Sequence, residues 1–273
     1  MWTPLTSGTG QHNGGVWRTP DGSVVKRLLR GPEEPRHHAY WRRQALVAES
    51  GLVRRTPGLR APELLRVEED RDGLLLWTQW VEPEPHDDLA LAAALGRFAS
   101  ADLPEPPWGA RDVLRVRLET VAARGGWSAL DAAGLDDSLL TALNHLWRRR
   151  EPALAELAAL PHVPTHGDAH PINLIGRDGD DVIAIDWEQF GFAPLGFDLA
   201  YLLLASSHPV DELVDAFGDP EVRRGTVLVA ALTAASRAAW SLGQPDPGDH
   251  VQRLVDLEEV VYLACDQAPW NAG

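Results

Sequence analysis

Four polar residues between His166 and Asp186 have the types and spacing that phosphoryl transfer uses. In VPTHGDAHPINLIGRDGDDVIAIDWE, residues 163–188, they stand in the order His166, Asp168, Asn173, Asp186. Moving a phosphoryl group asks little covalent chemistry of a protein. It asks for a carboxylate to take the proton of an acceptor hydroxyl, and for hard oxygen ligands that hold a divalent cation against the phosphates. Two short apolar runs, Leu174-Ile175 and Val182 to Ile185, flank the turn-forming Arg177-Asp178-Gly179-Asp180 and predict a β-hairpin. Such a hairpin returns Asp186 to the side of Asn173, so that two carboxylates and an amide face one small volume. Asp178, Asp180 and Asp181 read as turn residues. The same neighbourhood offers a second chemistry, because His162, His166, Asp168 and His170 are close enough in sequence to suggest a transition-metal hydrolase. Against it, His162 and His170 sit beside Pro161 and Pro171 as surface-loop residues do, and no second cluster of that density occurs in the chain.

His-Gly-Asp-x4-Asn followed by Ile-Asp-Trp-Glu resembles the aminoglycoside phosphotransferase family, small-molecule relatives of the protein kinases, whose matching elements are His-Arg-Asp-x4-Asn and Asp-Phe-Gly. The resemblance implies an α+β, two-lobed protein-kinase-like fold. A small β-rich N-terminal lobe, residues 1–85, would bind the nucleotide, and a larger, mainly helical C-terminal lobe, residues 86–273, would carry catalysis and the substrate. It also implies Asp168 as the catalytic base, Asn173 and Asp186 as ligands of Mg2+, and His166 as a support of the loop through hydrogen bonds. Gly196-Phe197-Asp198-Leu199-Ala200 matches the family's next segment, which makes Asp198 a brace of the catalytic loop. The implied nucleotide is ATP, with GTP left open because that choice turns on backbone detail at the hinge.

The elements that must position these groups begin with the strand bearing Lys26, the one lysine among 25 basic residues. A phosphate contact suits a compact point charge on a slim stem, which the planar guanidinium does not replace. Lys26 in Val-Val-Lys-Arg resembles Val-Ala-Ile-Lys, and by that resemblance it would pair with the α- and β-phosphates. Val16 to Arg18, a turn at Thr19 to Gly22 and Ser23 to Leu29 predict strand, turn, strand, entered by a flexible run from Thr6 to Gly15 that does not fit Gly-x-Gly-x-x-Gly. Residues 35–50 predict a helix closed by Gly51. In the family this helix supplies a glutamate to hold the lysine; the matching position here is Gln44, with Glu49 as the other register. Gly73 to Val81 predicts a strand that ends at Glu82-Pro-Glu-Pro85, since proline does not continue a central strand. The resemblance makes Gln79, Trp80 and Val81 the hinge facing the adenine edge. Beyond residue 85 the pattern predicts helices over 89–99, 111–123, 138–160 with an interruption near Pro152, 198–204, 211–217, 221–242 and 249–265, with the hairpin as the only β element.

At 273 residues, with 44% apolar and 24% charged content, the composition is that of a soluble globular protein. A formal net charge of -15 and a pI near 5.0 argue against a nucleic-acid partner and would draw a cationic ligand, as would any generally acidic protein. No stretch reaches the ~18 to 20 apolar residues of a membrane span, and Thr226 to Ala235 reads as a buried helix. The N-terminus lacks the basic-then-apolar pattern of a signal peptide. The single cysteine, Cys265, excludes an intramolecular disulfide, fits a reducing cytosol and falls on an apolar helix face that reads as core. These features predict a cytoplasmic monomer or homodimer with a small hydroxylated substrate and no membrane partner. Acids that could line the acceptor pocket are Glu188, beside Gln189, and Asp256, Glu258, Glu259 and Asp266. The later ones read better as a solvated face opposite Leu254, Val255, Leu257, Val260 and Val261, which leaves Glu188. Trp187 and Trp80 are candidates to flank a nucleotide or a ring-bearing substrate. The reading is an ATP- and Mg2+-dependent O-phosphotransferase acting on an antibiotic, aminoglycoside-like or other, or on a metabolite such as a sugar or amino alcohol. A catalytically silent nucleotide-binding protein is the alternative motivated by Gln44. Fold and motif do not encode the acceptor.

Overall fold

The computed structural model describes residues 1–5 and 13–266, so the run from Thr6 into Gly15 and the side chain of Asp266 fall largely outside the described residues. An antiparallel sheet of order β1-β2-β3-β6-β5 builds the first lobe from β1 (Thr3–Leu5), β2 (Asn13–Arg18), β3 (Val24–Leu29), β5 (Leu64–Asp70) and β6 (Gly73–Thr78). Lys26 lies on the middle strand, opposite Val16 on one side and Leu76 on the other. Lys26 and Leu28, two residues apart, share one buried face of the strand, and Val25 is buried on the other. Helix α1 (Arg43–Ser50) packs Ala45, with Trp41 just before it, on Leu28, Leu74 and Leu76 of the sheet and ends at Gly51 in the left-handed region, φ 66°. The predicted helix from residue 35 thus begins only at Arg43. The cause is Arg43 itself, whose guanidinium takes the carbonyls of Pro35, His37 and His38, holding that segment in turns.

The short strand β4 (Leu59–Arg60) leaves this sheet and pairs in parallel with β9 (Asp181–Ala184), which forms the predicted hairpin with β8 (Leu174–Asp178). Asp178 and Asp181 are more than turn residues: both pair with Arg60, and Asp181 Oδ1 accepts from the Gly58 amide at 2.7 Å. A second β element, not predicted, is the antiparallel pair of β7 (His162–Thr165) and β10 (Gly191–Pro194). Four-residue strands carrying prolines at positions 164 and 194 give no period for a sequence pattern to show.

The helical lobe comprises α2 (Asp88–Ala99), α3 (Val113–Ala123), α4 (Asp137–Arg148), α5 (Arg150–Ala159), α6 (Phe197–Leu203), α7 (Val210–Phe217), α8 (Val222–Ser241), α9 (His250–Asp256) and α10 (Glu258–Asp266). The interruption expected near Pro152 falls at Arg149, which puts Pro152 in the first turn of α5, where no amide is missed. The predicted helix over 249–265 is broken at Leu257 into α9 and α10, without a glycine or proline to announce it. Cys265 is half-buried rather than core, its thiol donating to the Ala142 carbonyl at 3.4 Å. Thr226 to Ala235 is buried throughout, as expected of the interior of α8. The approach of α8 to the segment before α6 is set by two glycines: a Cβ on Gly225 would lie 1.8 Å from the Leu195 carbonyl oxygen, and one on Gly196, φ 100°, 2.4 Å from the Thr226 nitrogen. Among the described residues no helix is long and apolar enough to cross a membrane.

Candidate active site

The catalytic loop hangs between β7 and a one-turn 3-10 helix, Pro171–Asn173. His166 is fully buried; its Nε2 donates to the Ile185 carbonyl at 2.8 Å, and its Nδ1 accepts the Asp168 amide at 3.3 Å, so the imidazole spans from the loop to the hairpin end. Gly167 turns the chain at φ 85° where a Cβ would stand 2.3 Å from the Gln189 carbonyl oxygen, a place for glycine alone. The carboxylate of Asp198, at the start of α6, accepts from the amides of His166 at 2.6 Å and Gly167 at 2.9 Å. The Asn173 side chain donates through Nδ2 to the Asp168 carbonyl at 2.9 Å and to its carboxylate at 3.1 Å, which leaves Oδ1 as its unused atom. The Ile185 amide donates to the Asn173 carbonyl at 2.8 Å, and Asp186 follows in the left-handed region at φ 66°, where its carboxylate meets Lys26 Nζ. The residues predicted from sequence, His166, Asp168, Asn173, Asp186, Asp198 and Lys26, therefore form one connected set.

Gln44 does not join Lys26. Its Oε1 is buried without a hydrogen-bond partner, while Glu49 is exposed at the end of α1. Of the residues expected at the hinge, the Gln79 amide is committed to the Glu63 carbonyl at 2.9 Å, and Val81 packs its Cγ1 where a Cβ on Gly176 would lie, 2.2 Å away. Trp80 is partly exposed, with the Arg18 guanidinium 4.2 Å from its ring centroid and its Nε1 donating to Glu82 at 2.8 Å. Trp187 does not flank a ligand: it is buried against His166, Phe98 and Phe190, with Nε1 donating to Ala184 at 2.7 Å. Glu188 lies beside the site, its carboxyl pushed up by burial and then by the charge of Asp186, and pulled back by Lys26 and Arg117. Asp256, Glu258 and Glu259 are exposed, as a solvated face requires, but Val255, read as part of the packing stripe, is 37% exposed. Among the described residues no three His, Cys, Asp or Glu side chains gather to hold a metal, and His162 is exposed and bonds locally to the Leu160 carbonyl at 3.1 Å.

The structure adds residues the sequence did not single out. Arg43 is fully buried, and its five N–H donors go to five carbonyls: Trp108 at 2.9 Å, His38 at 3.0 Å, Glu188 at 2.7 Å, Pro35 at 2.8 Å and His37 at 2.6 Å. It binds α1 to the turn that follows Asp186. Arg117 and Arg237 feel the charge of Asp168 and lie against the ring of Tyr201, and near Arg117 is His38, which burial and then the charges of His37, Arg117 and Arg43 push down to about 4. No sequence signal marks these residues, because each is one arginine, histidine or tyrosine in an ordinary helix or turn.

Asp198 gives a pH prediction. Burial pushes its carboxyl from 3.8 up to about 6, against the favourable charge of His166 and the two amide donors. A carboxyl raised in the folded state binds more protons folded than unfolded, so its contribution to stability falls as pH rises from about 4 to about 6 and is level above. The loop needs the ionised form, since a proton on either oxygen faces an amide donor. Activity should fall as pH drops through about 6. Asp198→Asn, which keeps one acceptor where two are used, should lower kcat about ten- to a hundredfold at pH 8 and remove that acid limb; a kcat–pH profile of both proteins checks it.

A carboxylate loop braced by a buried aspartate, set opposite a lysine on the middle strand of a small sheet that meets a hairpin carboxylate, defines a protein-kinase-like phosphotransferase of two lobes. The chain belongs to the phosphotransferase enzyme family, whose APH model matches residues 2–226. Solved structures of similar fold include a choline/ethanolamine kinase family protein from Mesorhizobium loti, 18% identical over 95% of this chain and 87% of that one, with a TM-score of 0.61. The GDP and kanamycin complex of APH(2")-IIia is 14% identical, covers 96% and 93%, and has a TM-score of 0.65. Choline kinase LicA from Streptococcus pneumoniae is 16% identical, covers 96% and 94%, and has a TM-score of 0.60. A comparison with curated proteins gave no match.

Proposed function

We propose that the protein transfers the γ-phosphoryl group of ATP, with Mg2+, to a hydroxyl of a small molecule. The observation that carries this reading is the Asp168 carboxylate, fixed by the Asn173 amide and by a loop braced on Asp198, beside the Lys26–Asp186 pair. Asp168 accepts the proton of the attacking hydroxyl. Lys26, freed from Asp186 when nucleotide binds, offers its point charge to the phosphates. The donor set fits Mg2+: one carboxylate, Asp186, and the unused Oδ1 of Asn173 are hard oxygens, and Mg2+ takes few protein ligands because the phosphates supply others. When bound, Mg2+ neutralises charge on the phosphates and orients them. Gln79, Trp80 and Val81 form the hinge beside the base, and with the Gln79 amide committed the base would be met by Trp80 or Val81 backbone.

The relatives named above include one solved with GDP and kanamycin and one that is a choline kinase, so the fold serves both antibiotic and metabolic alcohols. A second reading, nucleotide binding without transfer, is favoured by one feature, the unpartnered Gln44 where an acid would hold Lys26. Mass spectrometry of mixed aminoglycosides, other antibiotics, sugars and amino alcohols, incubated with the protein and ATP-Mg2+ or GTP-Mg2+, separates the two. The expected result is one compound class gaining a single phosphoryl group, with loss of the product when the metal is chelated. Protection of the protein by nucleotide without any phosphorylated compound would favour the second reading.

A further inference from the structure

Two arginines, Arg117 and Arg237, lie within reach of the Asp168 charge, although the chain as a whole carries a net charge of -15. Arg117 of α3 and Arg237 of α8 both lie against the ring of Tyr201 in α6, with their Cζ atoms 5.5 and 5.2 Å from its centroid. Arg117 donates to Gln189 Oε1 at 2.6 Å. Among the described residues no ion pair holds either guanidinium, Arg237 makes no hydrogen bond, and the hydroxyl of the fully buried Tyr201 has no partner. Most of the donors of this arginine pair are therefore unspent, since each guanidinium carries five.

The two charges act on each other and are poorly answered. Burial lowers both guanidinia, and in Arg117 burial together with the positive charge of Arg237, against the charge of Asp168, leaves it at about 10. Asp168 is the carboxylate whose charge bears on both. Glu188 bears on Arg117 as well. His38, pushed down to about 4 by burial and then by the charge of His37, is neutral at neutral pH and supplies no counter-charge. Two like charges, both largely desolvated and set against one ring, cost free energy that a bound anion would recover. A polycation in the same place would add to the repulsion.

Building on the phosphotransferase reading above, we propose that the acceptor is an alcohol bearing an oxyanion, a carboxylate or a phosphate monoester, which Arg237 and Arg117 bind while its hydroxyl lies at Asp168. In the transfer the hydroxyl oxygen bonds to Pγ, and the bridging bond from Pγ to the β-phosphate oxygen breaks with its electrons leaving on the nucleoside diphosphate. Asp168 takes the proton, and the product is a phosphomonoester that still carries the anchoring anion. Arg237 is the residue on which selectivity for the anion rests, because among the described residues no hydrogen bond or ion pair holds its guanidinium.

The test uses the whole protein and probes matched on one scaffold: gluconate, glucose 6-phosphate, glucose, glucosamine and, as a polycation, kanamycin. Calorimetric binding to the nucleotide-free protein should favour gluconate or glucose 6-phosphate over glucose by about tenfold or more, with glucosamine and kanamycin weakest; which of the two anions binds tells carboxylate from phosphate. Arg237→Gln should lower affinity for that anion about ten- to a hundredfold, and Arg237→Lys should restore part of it. Where transfer is observed, the same variants should raise KM for the anionic alcohol with a smaller change in kcat. Equal or tighter binding of the neutral or cationic probes, no binding by either anion, or an Arg237→Gln protein that binds the anion as the wild type does, overturns the proposal. Anion binding that depends on Arg237, with no phosphorylated product from any probe under ATP-Mg2+, leaves the anion site standing and counts against the phosphotransferase reading instead.

Discussion

Asp168→Asn should lower the transfer rate about a hundred- to ten-thousandfold, the range of a lost general base, and leave nucleotide affinity within a few-fold of the wild type. The substitution is the mildest available. Asn173 Nδ2 donates to the backbone carbonyl of residue 168 at 2.9 Å as well as to the side chain at 3.1 Å, so an amide oxygen in the place of Oδ2 keeps the loop's anchor. Asp198 holds the amides of His166 and Gly167, and Lys26 and Asp186 are untouched. What the variant removes is a proton acceptor and one negative charge beside Arg117 and Arg237. Pre-steady-state phosphorylation of whichever acceptor is found, with nucleotide affinity measured separately, checks both halves. A rate within threefold of the wild type would falsify the assignment of Asp168 as base; a parallel loss of nucleotide binding would move its role to the phosphates.

The loop and hairpin were legible because their chemistry is local. Asp168, Asn173 and Asp186 lie within one short stretch, and a turn at Asp178 to Asp181 is enough to bring its ends together. Lys26 stood out for a different reason, as the one lysine of the chain. Arg43 gave the opposite case: among many arginines nothing marks the one whose bonds reach Trp108 and Glu188, 65 and 145 residues away. The same holds for Arg117, Tyr201 and Arg237, which come from three helices and meet through tertiary packing, in which Gly196 and Gly225 let α8 approach the start of α6. Overall charge misled in the same way. A sum over the chain suggests a cationic ligand, while the few charges that face Asp168 from α3 and α8 are positive. The hairpin of the helical lobe was visible through two apolar runs flanking a turn, whereas β7 and β10, short and carrying prolines, became strands only through each other. The break at Leu257 is likewise set by packing, with Leu254, Leu257, Val260 and Val261 all buried.

Replacing Arg43 should be the most destabilising single change in the protein. Its guanidinium has no exposed surface, burial lowers it only to about 10, so it stays charged at neutral pH, and the charge of Glu188 helps to keep it so. Unlike an ion pair it is held by carbonyl dipoles, five of them, drawn from residues 35 to 38, from Trp108 and from the turn after Asp186. Arg43→Ala strands these acceptors in a space that water fills poorly. Removing one partner of a buried charged network costs about 3–5 kcal/mol, and each stranded acceptor adds to the loss. For a chain of this size that corresponds to a fall in Tm on the order of 10 °C. Arg43→Lys should recover part of it, since an ammonium has three donors for five carbonyls. The consequence reaches the site, because Arg43 is the link from α1 to the Glu188 carbonyl, two residues past Asp186. At a temperature where Arg43→Lys is still folded, by circular dichroism, its kcat should be lower than that of the wild type by about tenfold or more while Asp168 keeps its own hydrogen bonds. A lysine variant with wild-type kcat and Tm would mean that the carbonyl cage only fills space, and that α1 is held to the catalytic turn by the packing of Ala45 and Val47 instead.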